Sequence, residues 1–483
     1  MYKIPLLAIV VCGSGCFDYA SLNRCWDGGC GGDDQSASSD LLDGSSTPAD
    51  LAIAYDLGPP ACDPSVQPTD GVFVSVVNGN DLSGQGSQLL PFKTIATGLT
   101  AAAASGLHFV YLDEGTYPEN INFSASSAGL FVSGGWKALG ATWSRDCAPD
   151  FVSRTVIASP TAVAVKVSGV TVPSGLINLT VATRAKGLSS ANTSGETVIG
   201  VLVTGVNSTF RLTGVNVLTG QGGDGGSASV PPDAMNLTCS GSDPGTGMAG
   251  SVGTAGMPGK AGVLGATAFT PGDGMPGLTA MTGASGTAPA IAPETGMCVS
   301  SCSGTCGGFC GDVADTCSGA PGKNGCGGQP GLPGSPGRGG GASIGIFASG
   351  AGAIVALDHT VVRAQKGGDG STGGTAGKPG LGTAGSTGNP VTANTHCYSP
   401  ACASIPNCGT NSPHSFAGGS KGGDGGPGGK GGDGGGGAGG PSYGSVTLDG
   451  ARVLVDANSI TLGGVGGTGA GGAPAGATAS TFP

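Results

Sequence analysis

Charge is what this chain has least of. Asp, Glu, Lys and Arg make up 10% of its 483 residues, against roughly 25% in an ordinary domain. The balance is acidic, with a formal net charge of -11. No basic field is therefore present to hold a phosphate backbone, and nucleic-acid binding is excluded. Aromatic residues are equally thin at 5%, and there are only four histidines. Apolar runs are short: the longest stretch near the start, Ile4 to Val11, is far below the length that spans a bilayer. No nucleophile elbow or phosphate loop stands out from the many short glycine strings, which are low-complexity background. What the chain does have is glycine, 101 residues of it, and 16 cysteines.

Met1-Tyr2-Lys3 followed by Ile4 to Val11 has the form of an export signal. Ser14-Gly15-Cys16 places small residues directly before a cysteine, which resembles bacterial lipoprotein signals. The resemblance implies that residues 1–15 are removed and that Cys16 carries lipid, with Phe17 rather than Asp next to it directing the chain to the outer membrane or cell surface. Gly13 stands where that pattern prefers Leu. Residues 16–68, rich in Asp, Ser, Gly and Pro, read as a flexible tether. With Cys12 in the signal and Cys16 as the anchor, fourteen cysteines remain, an even number that suits disulfides in an oxidising compartment.

The segment 69–158 organises the rest. Alternation over Val72, Val74 and Val76 predicts a strand, Pro91-Phe92 turns into an Ala-rich helix from about Thr94 to Ala104, and Leu107 to Leu112 predicts a second strand. The string GNDLSGQGSQLLPFKTIATGL with VYLDEGTYPENI resembles the opening module of the secreted right-handed parallel β-helix proteins, the pectate-lyase-like superfamily. That resemblance implies an all-β solenoid whose open end is capped by the helix, with Leu130 to Trp136 as a second rung and Trp143 to Asp146 in a side loop. It speaks to fold and hardly at all to chemistry. Cys62 and Cys147 flank the module and are the candidate disulfide, although pairing cannot be read from sequence alone.

Short apolar runs continue the rungs over 159–221. The stretch from Ile199 aligns without gaps to that from Ile344, an offset of 145, and a third copy starts at Tyr443 with one deletion. Phe210, Leu212 and Val217 thereby match Val355, Leu357 and Val362, and then Val453, Val455 and Ile460. Such copies are expected to stack in one solenoid, with rungs at 342–366 and 441–462. Between them, 222–341 and 367–440 are glycine-rich insertions, and 463–483 is a Gly/Ala tail. The insertions carry glycine every third residue, as in GGD-GGP-GGK-GGD over 422–433. Period three suits a collagen-like triple helix, a bundle of extended glycine helices within one chain, or hydrated loops. Ordering glycine costs on the order of 1 to 2 kcal/mol per residue without side-chain burial in return, which favours hydrated loops.

Candidate sites are few. Cys298, Cys302, Cys306 and Cys310 are spaced C-x3-C, not C-x2-C, and no histidine lies near, so disulfide staples are expected and a metal is not. Asp224 and Asp369 share a GGDG repeat position and are expected on one face. No cofactor is expected and no catalytic residue is assigned; Asp358, His359 and Arg363 are the one trio worth mutating. Trp136 and Trp143 are candidate sugar-stacking contacts, with packing the stronger expectation. The expected function is a non-enzymatic, lipid-anchored surface protein, structural or adhesive, meeting extracellular polysaccharide or other surface proteins. The alternative is a polysaccharide lyase or glycoside hydrolase.

Overall fold

A computed structural model describes residues 64–140, 142–236, 248–286, 322–388, 391–395, 412–416 and 421–483. The signal with Cys16, most of the tether, Cys62 and every cysteine except Cys147 and Cys326 lie outside the described residues.

Three parallel sheets wrap one core. The first runs through Gly71–Val74, Phe109–Asp113, Phe131–Leu139, Ser174–Ile177, Thr209–Thr213, Ile354–Asp358 and Arg452–Val455. The second takes Gly115–Tyr117, Thr155–Ala158, Thr180–Ala182, Asn216–Leu218, Val361–Arg363 and Ile460–Leu462. The third takes Ile121–Phe123, Val163–Ser168, Val198–Thr204, Ser343–Ser349, Ser442–Leu448 and Thr478–Phe482. The chain visits the sheets in that order, so each circuit is one coil of a parallel β-solenoid. Identical register stacks like on like: Tyr117, Ile157, Val181, Val217 and Val362 succeed one another up the second sheet, all fully buried.

The helix Ile95–Ser105 sits at the first coil. Thr94 is its N-cap, and Gly106, in the left-handed region at φ 66°, ends it. Ile95, Leu99 and Ala102 join Val72, Val74 and Val110 in the main core. The residues that carried the family resemblance turn out to hold this helix in place. Asp81 accepts hydrogen bonds from the backbone of Lys93 and Thr94, and Glu119 accepts them from Ile95 (2.8 Å) and Ala96 (3.2 Å), satisfying amides that a helix start leaves free. The Tyr117 hydroxyl donates to the carbonyls of Val74 and Asp113.

The repeat offset of 145 is realised residue for residue: Ile199 pairs with Ile344, Phe210 with Val355 and Val217 with Val362. The third copy differs by one position. Val362 pairs with Thr461, not with Ile460. The corner from Asp456 to Ser459 holds one residue more than its counterpart from Asp358 to Thr360, which restores the register lost earlier. Ile460 accordingly points outward and is 51% exposed.

The expectation of hydrated loops is overturned for the described parts of the insertions. Segments 220–236, 248–262, 271–286, 322–341, 364–388 and 421–440 are extended and lie side by side, bonded at every third residue. Between 364–388 and 322–341 the run is Gly368 to Gly341, Ser371 to Arg338, Gly374 to Ser335, Gly377 to Leu332, Gly380 to Gln329, Thr383 to Cys326 and Ser386 to Lys323, N–H to carbonyl, at 2.7–3.0 Å. Segment 421–440 lies at the centre. Its amides donate to 364–388 and to 271–286, and its carbonyls accept from 322–341 and 248–262. These contacts join polyproline-II-type helices within one chain. Ordering glycine remains expensive; what offsets it is backbone hydrogen bonding rather than side-chain burial.

The triplets now have a physical meaning. Where a helix has neighbours on most sides it reads Gly-Gly-X, and where it lies at the edge it reads Gly-X-Y. A Cβ at Gly425, Gly428, Gly429 or Gly432 would stand 1.8–2.0 Å from a neighbouring carbonyl oxygen. Every excursion leaves the solenoid from the second sheet and returns at the third. The expected Gly/Ala tail is one more: Gly467 donates to Gly440 and Gly476 to Gly467, after which Thr478–Phe482 pairs with Ser442–Val446 as a strand of the third sheet.

Candidate functional site

A bundle whose interior is backbone sends its side chains outward, so their chemistry is set by something other than packing. On the adjoining helices 248–262 and 271–286, Met275 donates from its amide to Met257, Leu278 to Thr254, Met281 to Ser251 and Ala284 to Met248. Along this ladder Met248, Met257, Met275, Leu278 and Met281 are all 51–77% exposed. Successive ladder positions on one helix are about 9 Å apart at three residues per turn. The result is a row of flexible, polarisable apolar groups on a rigid backbone. The glycine period alone pointed to an extended helix; which residues share its open edge depends on which helices adjoin.

Polar side chains in the bundle have a different task. Asp224, Asp233, Asn236 and Asp369 each accept a backbone amide from a neighbouring helix, of Asp369, Lys378, Leu381 and Thr468 respectively, at 2.7–3.0 Å. Asp224 and Asp369 are thus on one face, as the shared GGDG position suggested, and they serve as lateral caps. Burial opposes ionisation of Asp369, but hydrogen bonds from Lys366 and Thr468 outweigh it and hold the carboxyl below its ordinary range.

The aromatic candidates are buried. Trp136 is 3% exposed and Trp143 0%, packed with Phe73 and Tyr111 on the outer face of the first sheet. The antiparallel hairpin of Phe131–Leu139 with Thr142–Arg145 folds them there. Trp143 donates its indole N–H to Gln88 and Trp136 to Ser133, and the Arg145 guanidinium lies 5.2 Å above the Trp136 ring. Neither ring presents a face on which a sugar could stack, which corrects the ligand reading. Burial pushes the Tyr111 phenol up to about 12.

Of the trio Asp358, His359 and Arg363, the structure joins the first two and substitutes the third. His359 Nδ1 lies 2.7 Å from Asp358 Oδ1, while the guanidinium on Asp358 Oδ2 belongs to Arg211, at 3.0 Å, and not to Arg363. Asp456, from the following coil, brings Oδ2 to 3.7 Å from His359 Nδ1. Sequence reasoning placed Asp456 on a separate repeat copy and did not join it to this pair, because its 97-residue separation from His359 only closes once the coils stack.

Cys147 and Cys326 are both engaged in disulfides. The C-x3-C cluster and Cys62 fall outside the described residues. Another concavity, about 380 Å³, lies between the helix Ile95–Ser105 and the strand Ile121–Phe123, lined by Ala96, Leu99, Thr100 and Asn122. No helix among the described residues is long and apolar enough to cross a membrane. Comparison with known proteins finds no matching family model, no matching curated protein and no matching solved structure.

Proposed function

We propose that this chain is an exported, lipid-anchored surface protein that uses its glycine-helix bundle as a rigid contact face for extracellular polysaccharide or the surface of a neighbouring cell. The proposal includes lipidation at Cys16, a tether over 16–68, a Cys62–Cys147 clasp, and a right-handed, helix-capped solenoid of the pectate-lyase-like kind. The observation that carries the adhesive reading is the exposed row Met248, Met257, Met275, Leu278 and Met281. Folding does not require these side chains, because the helices that bear them are held through backbone groups. Exposed apolar groups without a packing role mark contact surfaces.

The test incubates the purified chain with an array of bacterial and plant polysaccharides and scores retained protein and newly formed chain ends in the same wells. Retention without new ends, lost in Met275→Lys with Leu278→Lys while the melting temperature stays within about 1 °C, supports the reading. Unchanged retention by that double variant sinks it. The second reading, a polysaccharide lyase or hydrolase, has one observation in its favour: two carboxylates and an imidazole meet at Asp358, His359 and Asp456. New chain ends that vanish in Asp358→Asn would establish it in place of the first.

A further inference from the structure

The corner between the first and second sheets repeats from coil to coil. Ile177, Thr213 and Asp358 are register partners, so Asn178, Gly214 and His359 follow them at equivalent corner positions, all in the left-handed region. In the last two coils this corner gathers a donor set. His359 Nδ1, Asp358 Oδ1 and an Asp456 carboxylate oxygen all lie within 4.8 Å of one another. Ligands of a tetrahedral ion with bonds near 2.0–2.1 Å stand about 3.3 Å apart. The separations of 2.7 Å and 3.7 Å from His359 Nδ1 to Asp358 and Asp456 bracket that value, so small side-chain rotations suffice.

The surroundings suit a ligand as well. Arg211 occupies only Oδ2 of Asp358, so Oδ1, whose one partner is His359 Nδ1 at 2.7 Å, can exchange that contact for an ion held between the two. The side-chain amide of Asn458 lies 3.1 Å from His359 Nε2, and with its oxygen turned inward it accepts the Nε2–H of a metal-bound imidazole. Independently, Thr213, the register partner of Asp358, is only 3% exposed, yet its Oγ1 has no hydrogen-bond partner. A buried hydroxyl of this kind is costly unless something bonds it. Its place on the same sheet face as Asp358 offers it to a water bound beside the carboxylate.

We propose that Asp358, His359 and Asp456 bind one first-row divalent cation of the zinc class, clipping the last coil to the one before it. One imidazole nitrogen with two carboxylate oxygens favours such an ion over calcium, which takes six to eight oxygens. The clip joins segments almost a hundred residues apart in sequence at the open end of the solenoid, and it stands apart from the bundle face assigned to adhesion.

The experiment strips the full chain with chelator, alkylates free thiols without reduction, and titrates first zinc and then cobalt(II). The wild type is expected to retain one zinc equivalent more than His359→Asn, to melt higher with zinc than without, and to give cobalt absorption bands in the visible. His359→Asn installs the residue that stands at the equivalent corner as Asn178, so the turn survives. Asp456→Asn is expected to weaken zinc binding at least 10-fold by the same readouts. Equal zinc stoichiometry in wild type and His359→Asn, or identical cobalt spectra in wild type and Asp456→Asn, would overturn the proposal.

Discussion

Replacing Gly428 by alanine tests the principle on which the bundle is built. An ideal Cβ at Gly428 falls 1.9 Å from the Gln329 carbonyl oxygen and 2.9 Å from that of Gly328, where real Cβ atoms essentially never come closer than 3.0 Å. Segments 421–440 and 322–341 must therefore part by about 1.1 Å locally. The bonds at this level are Gly328 to Gly426 at 2.8 Å and Gly331 to Gly429 at 2.9 Å. Stretched by that amount they cease to be hydrogen bonds. Two lost backbone bonds at about 1 kcal/mol each, with buried groups left unpaired at about 1–3 kcal/mol, give a destabilisation of about 3–5 kcal/mol. Against this, alanine lowers the entropy of the unfolded chain, which returns only about 0.4–1 kcal/mol. The expected outcome is a fall of about 5 °C in the melting transition, with protease cleavage appearing within 322–440. Lys430→Ala is the control: its ion pair with Asp433 is about half exposed and is worth under about 1 kcal/mol. A Gly428→Ala protein that melts with the wild type would refute the close-packed backbone interior.

Other consequences follow from the same contacts. Trp143→Ala empties a fully buried site and should lower stability by about 3–5 kcal/mol in denaturant titration, while leaving polysaccharide retention by the folded fraction unchanged; lost retention with intact stability would restore the ligand role of that ring. Tyr117→Phe removes the donor to Val74 and Asp113 and should cost about 1–2 kcal/mol in the same titration. Asp369 has a folded pKa below its ordinary value, so its contribution to stability is present above about pH 4 and is lost as pH falls through the folded value. Asp369→Asn should therefore melt lower than the wild type at pH 7 and converge with it in acid, and a constant gap across that window would contradict the assignment. Asp113 and Glu119 act in the opposite sense: burial raises both carboxyls despite their hydrogen bonds, so each favours the folded state less as pH rises through its raised value.

The sequence by itself determined the solenoid and its period. Apolar alternation, Thr94 before the helix and Gly106 after it, and the 145-residue offset are local or repeating signals that need no knowledge of neighbours. The glycine triplets gave the period of an extended helix, since three residues per turn is a property of one strand, but the entropy of ordering glycine made hydrated loops the expectation. Whether those helices would pack was decided only in three dimensions. At every third residue an amide finds its carbonyl on another segment, often more than fifty residues away, as Gly328 does on Gly426. The roles of Asp81 and Glu119 were visible only as motif letters until the helix they hold was in place. Trp136 and Trp143 read as packing residues first and sugar contacts second, and the hairpin that buries them against Phe73 and Tyr111 decided for packing. A one-residue insertion at Asp456–Ser459 shifted the last rung unnoticed, because Ile460 and Thr461 differ little in what a sequence pattern demands. Asp456 reached His359 for the same reason that the bundle closed: stacking coils turn distance along the chain into adjacency across it.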